Sequence, residues 1–504
     1  MLLTLLKKDM EESNIIMKKK KLFCVIFSIF VFALILISCG KDSDTISEET
    51  LNTSDNGDNE NAETNQEQKP ELDLPDVKYD GYEFRVLNTP SSEMRADTTI
   101  YAEEETGDGV NDAVYKRNRL VEARFDIEIK EIVVGRGAIS QRATTSIRSG
   151  ADDYDLIMYS IDEGAGIAQN NMAVDYNEIP YVNLTQSWWD SDMMRDLVIG
   201  GHNYFVTGAF SLAHYGKTQG IFFNKQLLQD LALDSPYGIV NAGKWTFDKF
   251  HEMAKGASKD LDGDGVFTDK DQYGFMAWPW IYGNAFIAGA GQQMVSKDEN
   301  DMHVFNLNNE KFIQVFQKLM GIMHDENMLY DQGGGGDFDY APMFVNDQSL
   351  FFSSNMHSAV SFRGMETDFG IIPLPKYDEN QNGYHTYVFP PPVMLVPTTS
   401  FDLNRTGMIL EALCYESTDT VVKAYYDDLL KTKISRDDDS EAMLDIIFRN
   451  RIYSVTDIYY MPETFEQFYE LCRNKDANIV SWLEKNENRI AAAVEKNNQA
   501  FSDN

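Results

Sequence analysis

Between Tyr82 and Ser160 the spacing of apolar residues switches repeatedly between period two and a helical period, and this alternation constrains the fold more than any other feature of the chain. Tyr82-Glu83-Phe84-Arg85-Val86-Leu87 alternates as a half-buried strand. Residues 111–125 then carry Val114, Leu120 and Val121 at helical spacing among Lys116, Arg117, Arg119 and Glu122. Ile127–Val133 alternates again, and Tyr154–Tyr159 is a short apolar run ending in Ser160. Strand, helix, strand, helix, strand predicts an open α/β sheet with parallel strands. Such sheets bind ligands beyond the carboxyl ends of their strands, the position of Tyr159, Ser160 and Asp162.

Further along, Tyr204–Asn224 reads as strands with a turn between them, and Thr246 in Lys244-Trp245-Thr246-Phe247-Asp248 is a candidate N-cap. Helices are expected near 310–325, 405–430, 441–450 and 477–500. Gly333–Gly336 is a loop that no periodic element would tolerate. There is no internal repeat.

The start of the chain is built differently. Lys18-Lys19-Lys20-Lys21 precede an apolar run, Leu22–Ile37, which ends in Leu36-Ile37-Ser38-Cys39. A basic region, an apolar run and a cysteine behind a small residue are the parts of a bacterial lipoprotein signal, with Cys39 as the lipid-bearing first residue. An uncleaved membrane helix is the competing reading of the same run. Residues 1–39 are therefore set aside as an N-terminal extension and signal. Residues 40–80, polar and acidic, bury too little to fold and form a tether. The address is the extracellular face of the cell membrane, with the lipid as the membrane contact.

About 465 residues remain, enough for two or three domains. The net charge of −37 argues against a nucleic-acid partner, because polyphosphate would be repelled. With 30 Phe, 25 Tyr and 6 Trp, rings remain for a binding face after the cores are filled. Cys414 and Cys472 read as two buried thiols rather than a disulfide.

Two motifs carry chemistry. Asp260-Leu261-Asp262-Gly263-Asp264-Gly265-Val266-Phe267-Thr268-Asp269-Lys270-Asp271 follows the twelve-residue calcium loop. Asp260, Asp262 and Asp264 would supply carboxylates, Val266 a carbonyl, Thr268 an oxygen side chain and Asp271 the closing carboxylate. A structural Ca2+ is expected, in a helix–loop–strand setting. The second motif is Trp278-Pro279-Trp280-Ile281-Tyr282, whose rings read either as core packing or as a platform for sugar C–H faces. Trp188-Trp189 read as structural. Nucleophile elbows, zinc-binding helices, phosphate loops and dinucleotide fingerprints are missing from the sequence, so it is not read as an enzyme.

Several segments together resemble one family. Ile221-Phe222-Phe223-Asn224-Lys225, Gly243-Lys244-Trp245-Thr246-Phe247-Asp248, Phe344-Val345-Asn346-Asp347 and Asp368-Phe369-Gly370-Ile371-Ile372-Pro373-Leu374-Pro375-Lys376 are similar in order and spacing to extracellular solute-binding proteins of the sugar-transport type. The resemblance implies a two-lobed, maltose-binding-like fold serving an ABC importer. It places one lobe at 80–212 and 395–450 and the other at 213–394 and 451–504. Crossings are implied near Tyr215–Gly220, Pro391–Leu395 and residue 450. It also implies a cleft holding Ser160, Asp162, His214, Tyr215, Trp278, Trp280, Tyr282, Asn355 and Arg363. The expected ligand is a carbohydrate, with an oligosaccharide first and a peptide or other solute as the alternative; a surface glycan-active enzyme is the more distant one. The expected partner is an ABC permease, and the receptor itself is expected to be a monomer.

The leader generates a direct prediction. Cys39→Ser abolishes lipid attachment, so the protein moves out of the detergent phase on phase partitioning, whereas unchanged partitioning would retire the lipobox.

Overall fold

The first strand sits at the centre of its sheet because its side chains are apolar on both faces. In the computed structural model, β1 (Tyr82–Asn88) pairs in parallel with β2 (Ile127–Val133) along its whole length and with β3 (Leu156–Ser160). Phe84 and Val86 point to one face and Leu87 to the other, all fully buried. The structure describes residues 70–305, 309–325, 327–330, 341–362, 364–431 and 438–502. The leader, nearly all of the tether, the Gly333–Gly336 loop and Arg363 lie outside the described residues. The compact unit spans Glu71–Asn504.

The remaining strands follow in chain order: β4 (Gln219–Asn224), β5 (Tyr273–Met276), β6 (Val295–Lys297), β7 (His303–Phe305), β8 (Leu329–Tyr330) and β9 (Ser349–Asn355). Then come β10 (Phe369–Ile372), β11 (Thr386–Val388), β12 (Pro392–Leu395) and β13 (Arg451–Tyr453). The first sheet has the order β12-β3-β1-β2, with β12 antiparallel to β3. The second has the order β10-β4-β9-β5-β8 and mixes parallel and antiparallel pairs. This is the two-lobed α/β architecture expected from the alternation.

In the first lobe, the helices Gly109–Phe125 and Leu403–Ser417 cover one face, packing Val121, Phe125, Ile409 and Leu413 on Phe84, Ile129 and Met158. Leu120, expected on the packed side, is instead 51% exposed. Trp188 and Trp189 are core, and both indole N–H groups donate to the carboxylate of Glu411, at 3.0 and 2.9 Å. Gly407 is required where this helix meets the Pro180 carbonyl, since a Cβ there would lie 1.9 Å from the oxygen.

The second lobe is built on rings. Phe222, Phe344, Phe352, Phe362 and Phe369 pack on one face of its sheet. Trp245, Phe250, Phe275 and Phe351 pack on the other, many edge-to-face. Each large side chain so buried contributes about 1.5–3 kcal/mol. Thr246 does cap its helix, accepting from the Lys249 N–H at 3.3 Å, and the Trp245 indole donates to the Pro373 carbonyl at 2.9 Å.

Three boundaries differ from the sequence reading. Tyr204–Asn224 holds one strand, β4, and a short helix Ala213–Lys217, with isolated bridges at Val206, Gly208 and Thr218. Pro392–Leu395 is already a strand of the first sheet, so the second crossing runs just ahead of it, through β11. The helix Asp438–Arg449, assigned above to the first lobe, packs Leu444, Ile447 and Phe448 against Phe222 and Phe369 of the second. This helix belongs with the second lobe because its apolar stripe matches the ring-rich face, and β13 after it lies at the hinge. The C-terminal helix Ile479–Ser502 also reaches the first lobe, where Gln169 donates to Asn497 at 2.6 Å and Tyr204 meets Phe501.

Candidate ligand-binding cleft and hinge

Three crossing segments lie side by side between the sheets. β11 and β13 pair in parallel, and Thr218 bridges Val388. The ends of β3 and β9 and the turn after β5 carry residues expected at the cleft. Ser160 ends β3, sits opposite Pro392 and opens the helix Ile161–Gln169, whose first turn contains Asp162. Trp278 is half-buried at the N-cap of the helix Pro279–Gly289, just after β5, and Pro279 at its first position presets the helical turn. Trp280 follows in that first turn. Asn355 ends β9 opposite Gln219, half-buried, with its Oδ1 accepting from the Ser358 N–H at 3.3 Å. Next to it, the Met356 N–H donates to the Thr218 carbonyl at 2.9 Å, tying this end of the second sheet to the first crossing.

Tyr282 is not placed with these groups. It is fully buried, and its hydroxyl donates to the Cys472 carbonyl at 2.6 Å. Its helix meets Met461–Arg473 closely at Gly283, where a Cβ would fall 2.5 Å from Cys472 Sγ, so the ring is drawn into that contact. Cys472 and Cys414 are both free buried thiols.

His214 and Tyr215 stand together, ring centroids 4.0 Å apart, but they line a separate cavity whose wall includes none of Ser160, Trp278 or Asn355. His214 is buried, with Nε2 3.7 Å from Asp190 Oδ2. Burial, with Arg451 pressing the same way, brings its imidazole down to about 3, so it is neutral at pH 7. Asp190 accepts from Arg451 Nη2 at 2.7 Å, the Tyr453 hydroxyl at 2.8 Å and the Met193 N–H at 2.9 Å. Burial pushes its carboxyl up, but Arg451 and His214 outweigh this and hold it below the usual range. From the same first-lobe helix, Asp192 and Asp196 accept from the backbone N–H groups of Arg451 and Tyr453. Helix and hinge strand are thus bonded side chain to backbone.

Two lobes, three crossings and a polar cleft at strand ends form the setting for comparison with known proteins. A sequence profile described as bacterial extracellular solute-binding protein matches residues 104–391, more than half of the chain. The chain belongs to this family. No curated protein matches the sequence. Among solved structures, the sugar-binding protein MalE from Xanthomonas citri aligns with a TM-score of 0.57 at 12% identity, covering 84% of this chain and 100% of that one. An ABC substrate-binding protein from Listeria monocytogenes in complex with cycloalternan aligns at 0.56 and 12% identity, over 82% and 100% of the two chains. A cyclo/maltodextrin-binding protein complexed with maltotetraose aligns at 0.55 and 13%, over 84% and 98%. At such identities these likenesses establish the fold. As a member of this family, the chain is a solute-binding protein rather than an enzyme.

Sequence reasoning missed the contacts around the first crossing of this solute-binding protein. A Cβ on Gly216 would touch Ala96 of the first lobe and the Cβ of His357 of the second, both at 3.7 Å, so the lobes meet over the crossing here. Lys217 is buried with its Nζ 4.8 Å from the centre of the Phe389 ring. Burial lowers the His357 imidazole, while Asp97 raises it and Lys217 lowers it further. Asp97, Lys217, His357 and Phe389 come from four distant stretches, and only Lys217, inside the implied first crossing, carried any signal.

The acidic loop folds as expected between a helix and a strand, with Lys259 and Gln272 bridged at its base. Ligand oxygens of Asp260, Asp262 and Asp264 lie within 4.8 Å of one another. Gly263 and Gly265 take φ of +74° and +82°, which lets the chain wrap. Asp271, however, accepts from the Leu261 and Thr268 N–H groups at 2.9 and 2.7 Å, which hold its carboxyl low. Its oxygens serve the loop itself, as do both oxygens of Asp260, which accept from the Gly263 and Gly265 N–H groups at 2.7 and 2.8 Å, so it is the clustering of the first three carboxylates that fits a hard cation. Val266 is 61% exposed at the turn.

A pH dependence follows from His214. Its folded value lies below the ordinary 6.5, so the unfolded chain takes up the proton first. The stability it contributes is complete above about pH 6.5 and falls as pH drops toward 3. His214→Gln is expected to lose less melting temperature than the wild type between pH 7 and pH 4; equal losses would contradict the buried neutral imidazole.

Proposed function

We propose that this solute-binding protein captures a carbohydrate, in the first place an oligosaccharide, and hands it to an ABC-type import permease while held by the Cys39 lipid at the outer face of the cell membrane. The observation that carries this reading is Trp278. A half-buried indole at the cleft end of β5, with polar Ser160 and Asn355 at the ends of β3 and β9, offers the stacking face and hydrogen-bonding rim that a sugar needs. Fold relatives bound to maltotetraose and cycloalternan support an oligosaccharide. Asp162, Trp280 and Arg363 remain assigned to the same cleft. Closure of the lobes about β11, β13 and Thr218 would present the permease with a surface that only the loaded receptor has.

Calorimetry of the full chain against mono- and oligosaccharides is expected to give saturable binding. Trp278→Ala is expected to weaken it by about ten-fold or more, the loss of one stacked ring. Heat from peptides but from no glycan would overturn the sugar reading.

The acidic loop is assigned a structural Ca2+, held by Asp260, Asp262 and Asp264 with the Val266 carbonyl and Thr268, Asp271 closing the loop. The ion would neutralise three clustered carboxylates and brace the turn before β5. A chelator is expected to lower the melting temperature, and restored Ca2+ to recover it; an unchanged melting temperature retires the site.

A further inference from the structure

The hinge carries a cavity of about 250 Å3, walled by Trp188 and Asp190 of the first lobe, Tyr215 and Arg451 of the crossings, Val422, and Phe448 of the second lobe. That is room for about eight waters at liquid density. Its polar groups are unevenly satisfied. Asp190 accepts from the donors already described, and Asp192 from the Arg451 backbone N–H and from Arg195 Nη1. Arg451 spends Nη2 on Asp190, but its Nε lies 3.9 Å from Asp192, and neither Nε nor Nη1 has a hydrogen-bond partner among the described residues. The side chain is 9% exposed. A buried guanidinium N–H without an acceptor is costly, so the cavity calls for an oxygen inside it.

The charges say which kind of oxygen. Asp190 is paired with Arg451 and Asp192 with Arg195, while the exposed Arg449 is turned to Asp445, so the wall has no unpaired cation to hold an anionic guest. Hydroxyl groups meet both demands, accepting from Arg451 and donating to free lone pairs on the two carboxylates. The Tyr215 ring and the Trp188 indole supply apolar wall for C–H groups. Val422 and Thr418 come from a π-helical turn, Thr418–Val422, which widens the wall at this point. We propose that this cavity is a second binding site, distinct from the cleft, for a neutral polyhydroxylated molecule about one sugar ring in size. Both lobes and the crossings wall it, so occupancy is linked to the arrangement of the lobes.

The test is titration calorimetry of the full chain with glycerol and neutral monosaccharides, in the wild type, in Trp278→Ala and in Ser187→Trp, which sets a large ring at the exposed rim. At least one polyol is expected to bind wild type and Trp278→Ala equally and to bind Ser187→Trp about ten-fold or more weakly. Arg451→Lys, which keeps a cation for Asp190 and removes Nε and Nη1, is expected to show the same loss. No heat from any polyol, leaving water as the only occupant, overturns the proposal; so does binding that Ser187→Trp leaves unchanged. The oligosaccharide reading of the cleft is scored separately by the effect of Trp278→Ala, so either can fail alone.

Discussion

The buried pair between Asp190 and Arg451 is the interaction on which the two-lobed arrangement depends. It joins the start of a first-lobe helix to the third crossing at 2.7 Å, with both side chains almost wholly out of water. A buried ion pair stabilises only when its remaining lone pairs and protons are met, and breaking one leaves an uncompensated charge costing about 3–5 kcal/mol. Here the carboxylate is met three times over, while Nε and Nη1 of Arg451 find no protein acceptor among the described residues. Asp192 and Asp196 extend the same logic to the backbone of β13, so this crossing is held by side chains as well as by its partner β11. The register of the hinge, and hence the spacing of the cleft, is set by these bonds.

Around that pair the molecule separates apolar from polar work. The first lobe is a sheet of three parallel strands with β12 antiparallel at its edge, and the second a mixed sheet clad in Phe and Trp. Their strands β3 and β9 end in small or amide side chains, with one half-buried indole just after β5. The net charge of −37 is carried largely on the surface, where it keeps an exported body dispersed. Buried charges lie at the hinge, as Asp190, Lys217 and Arg451, and also inside the lobes, as Asp155, Glu411 and Arg117, whose Nη2 donates to the Ile100 carbonyl and whose guanidinium lies 4.7 Å over the Phe210 ring.

Residues were legible in the sequence where local chemistry decides their role. Thr246 caps its helix, Trp188 and Trp189 are core, and Ser160, Trp278 and Asn355 stand at strand ends, because period, caps and turns are read within a few residues. Tyr282 was misplaced because its partner, Cys472, is 190 positions away. His214 and Tyr215 lie at a crossing, but which side of it they face is settled by Asp190, Arg451 and Phe448. Asp438–Arg449 reads as an amphipathic helix in either lobe; the rings it covers chose the second.

The sequence alone determined the α/β class, since it follows from the period of the apolar residues, a property of the chain itself. Only the tertiary structure decided which side chains share the cleft and which share the hinge cavity. Those neighbours come from distant segments, and burial, ion pairing and the crossings fix their meeting through interactions that have no signature along the chain.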